Sequence, residues 1–108
     1  FAHLARAIVA FPGGFGTLDE LFELLTLTQT GKLDRPMIVI LYGSGYWNEI
    51  VNFQALVRHG MIAAEDLALF HVVDSPAEAL DVLQRGLVVE MAPSTPAIAK
   101  SVTRGHPS

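Results

Sequence analysis

A parallel α/β fold is predicted by three features of this 108-residue sequence. Short, unbroken apolar runs alternate with stretches in which apolar residues recur at helical spacing. Two of those runs empty directly into glycine turns, Pro12-Gly13-Gly14-Phe15-Gly16 and Gly43-Ser44-Gly45. The connections are short, so the order strand, helix, strand, helix, strand, helix has the grammar of parallel strands joined by right-handed crossovers.

The first run, Ala7 to Phe11, is stopped by Pro12 and reads as a strand buried on both faces. From Thr17 the spacing of Leu18, Leu21, Phe22 and Leu25 predicts a helix, with Leu24 and Leu27 widening its apolar side and Thr30-Gly31 ending it. That extra width suggests an interface between two copies of the chain. Pro36 to Tyr42 reads as a second buried strand. A second helix is expected from Tyr46 to His59, carrying Trp47, Ile50, Val51, Phe53 and Leu56 and terminated by Gly60. Asp66 to Leu69 suggests a short helical turn, and Leu69 to Val73 a third strand. Ser75-Pro76-Ala77-Glu78 then supplies a cap, a proline at the first helical position and a capping-box acid, ahead of a helix burying Ala79, Leu80, Val82 and Leu83.

One domain is expected over residues 1–91, and the polar, proline-bearing stretch 92–108 as a disordered tail. Three helices are too few to cover both faces of a complete doubly wound sheet. The chain therefore reads as the C-terminal half of a three-layer α/β/α domain, its other half expected upstream.

Composition narrows the function. The residues are 51% hydrophobic and 17% charged, against roughly 25% charged in an average soluble domain. A net charge of −4 and a pI near 5.4 exclude the basic field that a general grip on nucleic acid needs. The absence of cysteine removes disulfide and thiolate chemistry and fits a cytoplasmic enzyme. No apolar run reaches the roughly 18 residues of a membrane span. His3, His59, His71 and His106 have no metal-ligand spacing, so no metal or cofactor is expected.

The glycine turn is where chemistry is expected, because ligands of parallel sheets sit beyond the carboxyl ends of the strands. Gly13, Gly14 and Gly16 can adopt positive φ and let a ligand approach the backbone, and the helix that follows presents unpaired amides to an anion. The turn lacks the lysine of a P-loop and the third glycine of the dinucleotide fingerprint. Thr17 and Glu20 have the spacing of a capping box, worth roughly 1 kcal/mol as a cap. Alternatively, Glu20 faces a substrate whose phosphate the turn holds. Tyr46 and Trp47 follow the second glycine turn, where an aromatic can border a base, although core packing also accounts for them.

The stretch "PGGFGTLDE" resembles the PGGxGTxxE signature of the LOG family, the cytokinin riboside 5′-monophosphate phosphoribohydrolases, long labelled possible lysine decarboxylases. The similarity continues through "LFELLTLTQTGKLDRPMIVILYGSGYW" and "GMIAAEDLALFHVVDSPAEAL". The resemblance implies a Rossmann-like homodimer that cleaves the N-glycosidic bond of a nucleoside 5′-monophosphate, such as a cytokinin riboside 5′-monophosphate or AMP, to free base and ribose 5-phosphate. It assigns the 5′-phosphate to Gly13, Gly14, Gly16 and Thr17 and catalysis to Glu20. The family's arginine, in an Arg-Lys pair, aligns ahead of Phe1, and Arg6 is not its equivalent. On that alignment the chain alone is expected to be inactive. A pyridoxal-dependent decarboxylase would need a supported lysine, and neither Lys32 nor Lys100 has a supporting constellation. A nucleotide-binding or carrier protein on the same fold is the alternative, and Glu20, of little use to a pure anion binder, favours the enzyme.

Overall fold

The computed structural model describes residues 1–4, 6–32 and 37–91. Four strands form one sheet in sequential order: β1 (Ala2–His3), β2 (Ala7–Ala10), β3 (Ile38–Tyr42) and β4 (Phe70–Val73). The three expected strands are parallel, with Ala7 opposite Ile38 and Val39 opposite Phe70. The unforeseen β1 is antiparallel to β2, pairing Ala2 with Val9 and His3 with Ile8. Two residues are too few to show a period of two.

The side-chain period of a strand explains both layers. Val39 and Leu41 face one way, and with Ala10 they meet Leu21 of α1 (Phe15–Gln29) and Trp47 of α2 (Ser44–Ile50), all five fully buried. Phe53 of α3 (Phe53–Arg58) packs against the same cluster. Ile40 faces the other way with Val9 and Val73, against Val82 of α4 (Pro76–Met91). Both crossovers thus lie on one face while the strand order advances in one direction, so they share one hand. The result is the expected α/β/α sandwich, a partial Rossmann-like fold in which the reversal of strand order does not occur among the described strands. Burying each large apolar side chain contributes about 1.5–3 kcal/mol.

Several boundaries differ from expectation. The helix expected from Tyr46 to His59 is two helices, because Val51 is extended (φ −127°, ψ 123°) and Asn52 caps a new start, its Oδ1 accepting from the Ala55 amide at 2.9 Å. The short turn before β4 is a 3-10 helix, Ala64–Leu69, tied by Asp66, whose Oδ2 accepts from the Ala63 amide at 2.9 Å. Phe22, Ile50 and Leu80, expected inside, are exposed, whereas Leu24 packs against the core. Ser75 caps α4 as expected, its Oγ accepting from the Glu78 amide at 3.1 Å; the Glu78 carboxylate reaches one residue further back than a capping box requires, to the Asp74 amide at 2.6 Å. The tail expected over 92–108 lies outside the described residues. No helix among them is long and apolar enough to cross a membrane.

Candidate active site

After β2 the chain has only Phe11, Pro12, Gly13 and Gly14 in which to turn before α1 begins at Phe15. Gly14 is the N-cap, and its carbonyl accepts the first helical bond from the Leu18 amide at 3.0 Å. This start is earlier than the cap expected at Thr17 and dissolves the capping box: Thr17 lies in the first helical turn and Glu20 in the second. The physical reason is that glycine tolerates the N-cap conformation nearly as well as a polar cap, so helical geometry can begin as soon as the chain leaves Pro12. No side chain caps α1 and no acidic residue occupies its first turn. The amides of Gly14, Phe15, Gly16 and Thr17 therefore have no acceptor within the helix, and the positive end of its dipole is not neutralised.

The glycines do not supply the positive φ that was one of the two uses expected of them. None of Gly13, Gly14 and Gly16 has positive φ; among the described glycines only Gly31, Gly43 and Gly60 do. At Gly13 the need is closeness, because a Cβ there would lie 2.2 Å from Thr17 Oγ1. At Gly14 and Gly16 a Cβ would meet nothing within 4 Å, so these positions face open space. Gly14, Phe15 and Gly16 are exposed, so the start of α1 faces solvent.

The turns after β3 and β4 lie at the same edge. Gly43 has φ 102°, and its amide donates to the Val73 carbonyl at 2.8 Å. The next amide, of Ser44, donates to Asp74 Oδ1 at 2.7 Å. The Ser44 backbone bond, aided by one from its side chain, holds the Asp74 carboxyl below its ordinary range. Tyr46, in the first turn of α2, donates its hydroxyl to the Gly13 carbonyl. Its ring stands edge-on to Trp47 at 5.0 Å, and Trp47 is itself fixed by an Nε1 bond to the Tyr42 carbonyl at 3.1 Å. Asp74 and Tyr46 were not legible in these roles from sequence; the only local signal was their position just after two apolar strands.

The structure thus brings Gly13, Gly14, Gly16 and Thr17 together around the first turn of α1. Glu20 follows Gly16 by four residues and Thr17 by three, which places it one turn down the same helical stripe. It is exposed, with no hydrogen bond or ion pair among the described residues. No cluster of potential metal ligands occurs among them. Arg6 precedes β2 and Lys32 follows α1, so both lie at the end of the sheet opposite the glycine turn. An apolar cleft of about 100 Å³ between Phe22, Leu25, Phe53, Leu56 and Ile62 is also at the opposite end, beside the 3-10 helix that enters β4. Its polar groups already pair, Gln29 Nε2 donating to Asp66 Oδ2 at 2.7 Å. The glycine edge, where the first amides of α1 and the Glu20 carboxylate have no partner among the described residues, is the chemically equipped place.

Residues 1–83 match the family model described as "Possible lysine decarboxylase". A cytokinin riboside 5′-monophosphate phosphoribohydrolase of Arabidopsis thaliana is 41% identical over 66 residues, covering 57% of this chain and 30% of the relative. A second from that plant is 34% identical over 80 residues, covering 73% and 36%. A protein of Oryza sativa subsp. japonica named "Probable cytokinin riboside 5′-monophosphate phosphoribohydrolase" is 33% identical over 87 residues, covering 77% and 35%. The chain spans about a third of the length of these curated relatives. With residues 1–83 matching the family model and a relative 33% identical over 77% of the chain, this chain belongs to the LOG family of phosphoribohydrolases.

Proposed function

We propose that the complete protein hydrolyses the N-glycosidic bond of a nucleoside 5′-monophosphate, a cytokinin riboside 5′-monophosphate or AMP, giving free base and ribose 5-phosphate. The observation that carries this reading is the pairing of open amide donors at Gly14 and Gly16 with a carboxylate, Glu20, one helical turn away. The 5′-phosphate accepts bonds from the first turn of α1, joined by the Thr17 hydroxyl. That places the sugar over the helix stripe on which Glu20 stands. As the bond between C1′ and the base nitrogen breaks, the electron pair leaves with the base and positive charge grows on the ribose. Glu20 stabilises that charge and orients the water whose oxygen bonds to C1′; the proton the water loses ends on the departing base. The protein acts as a homodimer, a reading supported by the exposed Phe22 on α1.

The test incubates the full-length protein with AMP and with an isoprenylated AMP, following free base and ribose 5-phosphate by chromatography. Glu20→Gln is expected to cut turnover by about 10²–10⁴ while nucleotide still binds and the fold still melts as in wild type. Tight nucleotide binding without release of base from the wild-type protein would instead mark a carrier.

A further inference from the structure

The turns after β2, β3 and β4 are tied in series. Asp74 holds the Ser44 amide at 2.7 Å, which fixes the start of α2 to β4, and two residues on Tyr46 donates its hydroxyl to the Gly13 carbonyl. That last bond constrains a donor it does not touch. In a planar trans peptide the carbonyl of one residue and the amide of the next point in opposite directions. Holding the Gly13 carbonyl toward α2 therefore aims the Gly14 amide away from α2, and Gly14 is exposed, a Cβ there meeting nothing within 4 Å. A rotation of the same peptide would replace this donor with a carbonyl oxygen and present the wrong end of the dipole to an anion. Glycine on both sides makes this peptide easy to rotate. Something must hold it.

Tyr46 is suited to that task because its own ring cannot wander. It is half-buried, it stands at 88° to the ring of Trp47, and Trp47 is fully buried and bonded to the end of β3. We propose that Tyr46 is a positioning residue, locking the Gly13-Gly14 peptide with its amide outward and so setting the affinity of the glycine turn for the substrate's phosphate. The proposal rests on the reading of that turn as the phosphate holder. Tyr46 acts through Gly13 and does not touch the substrate.

The test uses full-length Tyr46→Phe, which keeps the ring and removes only the donor. Losing one hydrogen bond of typical net strength predicts about a fivefold rise in Kd and KM for AMP, with kcat within about twofold of wild type. Inorganic phosphate, measured by competition with AMP, should weaken by the same factor, whereas adenosine, which has no phosphate, should bind both proteins equally. Equal loss for AMP and adenosine would overturn the proposal, since a general disturbance of the pocket would do that. Unchanged phosphate affinity would overturn it too. Should Tyr46→Phe fail to fold, Asp74→Ala loosens the same tether from its far end; it should weaken phosphate in the same direction, and no change would count against the series of bonds. A wild-type protein that binds neither AMP nor phosphate would remove the phosphate reading itself, a failure distinguishable from the others because it appears before any substitution.

Discussion

Asp74 shows how a single exposed carboxylate can organise the candidate site without belonging to its signature. Its hold on Ser44 lowers its own proton affinity, so the unfolded chain binds this proton more readily than the folded one. The stabilisation is fully present above the ordinary aspartate value of 3.8 and is lost as pH falls through the lower value of the folded protein. Asp74→Asn keeps an oxygen that can accept from Ser44 and deletes only the charge. Thermal melts should therefore show the variant slightly less stable than wild type near neutral pH, with the difference closing as the pH falls below 3.8 and through the lowered value of the folded protein, below which both side chains are neutral. A difference that stays constant across that range would mean that the charge contributes nothing. Gly13 makes a complementary point at the same scale: its lack of a side chain is dictated by Thr17 Oγ1 rather than by an unusual backbone angle.

At the scale of elements, what could be read from sequence was what each element decides for itself. Val39, Ile40 and Leu41 form a run with no polar break, and all three are fully buried in β3. Ser75-Pro76 announces α4 and the structure uses it. Most of the failures share a cause, which is that the deciding partner is remote or the alternatives are locally equal. Thr17 and Gly14 are both acceptable caps, and the early turn after Pro12 favours Gly14. The bond from Ser44 to Asp74 spans 30 residues and that from Tyr46 to Gly13 spans 33, beyond any local periodicity. The break between α2 and α3 was legible in principle, since Asn52 is a strong capping residue standing before a fresh apolar run. Gly86 is a further case of a remote partner. It lies inside α4, where glycine costs about 0.8–1.0 kcal/mol relative to alanine. A Cβ there would come within 2.4 Å of Ile38 Cδ1 and 3.1 Å of its Cγ1, so the glycine lets α4 seat closely on β3. Overpacking typically costs about 1–3 kcal/mol, which outweighs the gain in helix propensity. Gly86→Ala should thus destabilise the wild-type protein by about 1 kcal/mol. In an Ile38→Val background, where Cδ1 is gone, it should be neutral or stabilising. Urea titrations of the four proteins close the cycle, and additivity within about 0.5 kcal/mol would show that the two residues do not meet.

For the molecule as a whole, the sheet is unequally supported from its centre to its edges, and the candidate site hangs from both kinds of strand. β3 is paired on both sides and carries the second glycine turn. β2 carries the first turn; its four residues are all buried, but among the described residues its outer side is paired by the two residues of β1 and by the Leu4 amide, which donates to the Ala7 carbonyl at 2.8 Å. Among the described strands β4 pairs with β3 alone, and it leaves His71 and Val72 exposed. Local opening follows such differences, because amides with few buried neighbours and little pairing are released without unfolding the rest. Hydrogen exchange on the 108-residue chain should accordingly find the amides of Val39 to Leu41 slowest. Those of β4 should exchange at least about tenfold faster as a group, and those of Ala2 and His3 fastest of all. The behaviour of β2 carries the functional consequence. Protection of Ile8 to Ala10 close to that of β3 would mean that both glycine turns stand on one rigid body, as a phosphate site aimed at Glu20 requires. Exchange of β2 together with β1 would mean that the glycine turn sits on a support that opens independently of β3, and the tether through Tyr46 would then be what keeps the turn in register with the rest of the site.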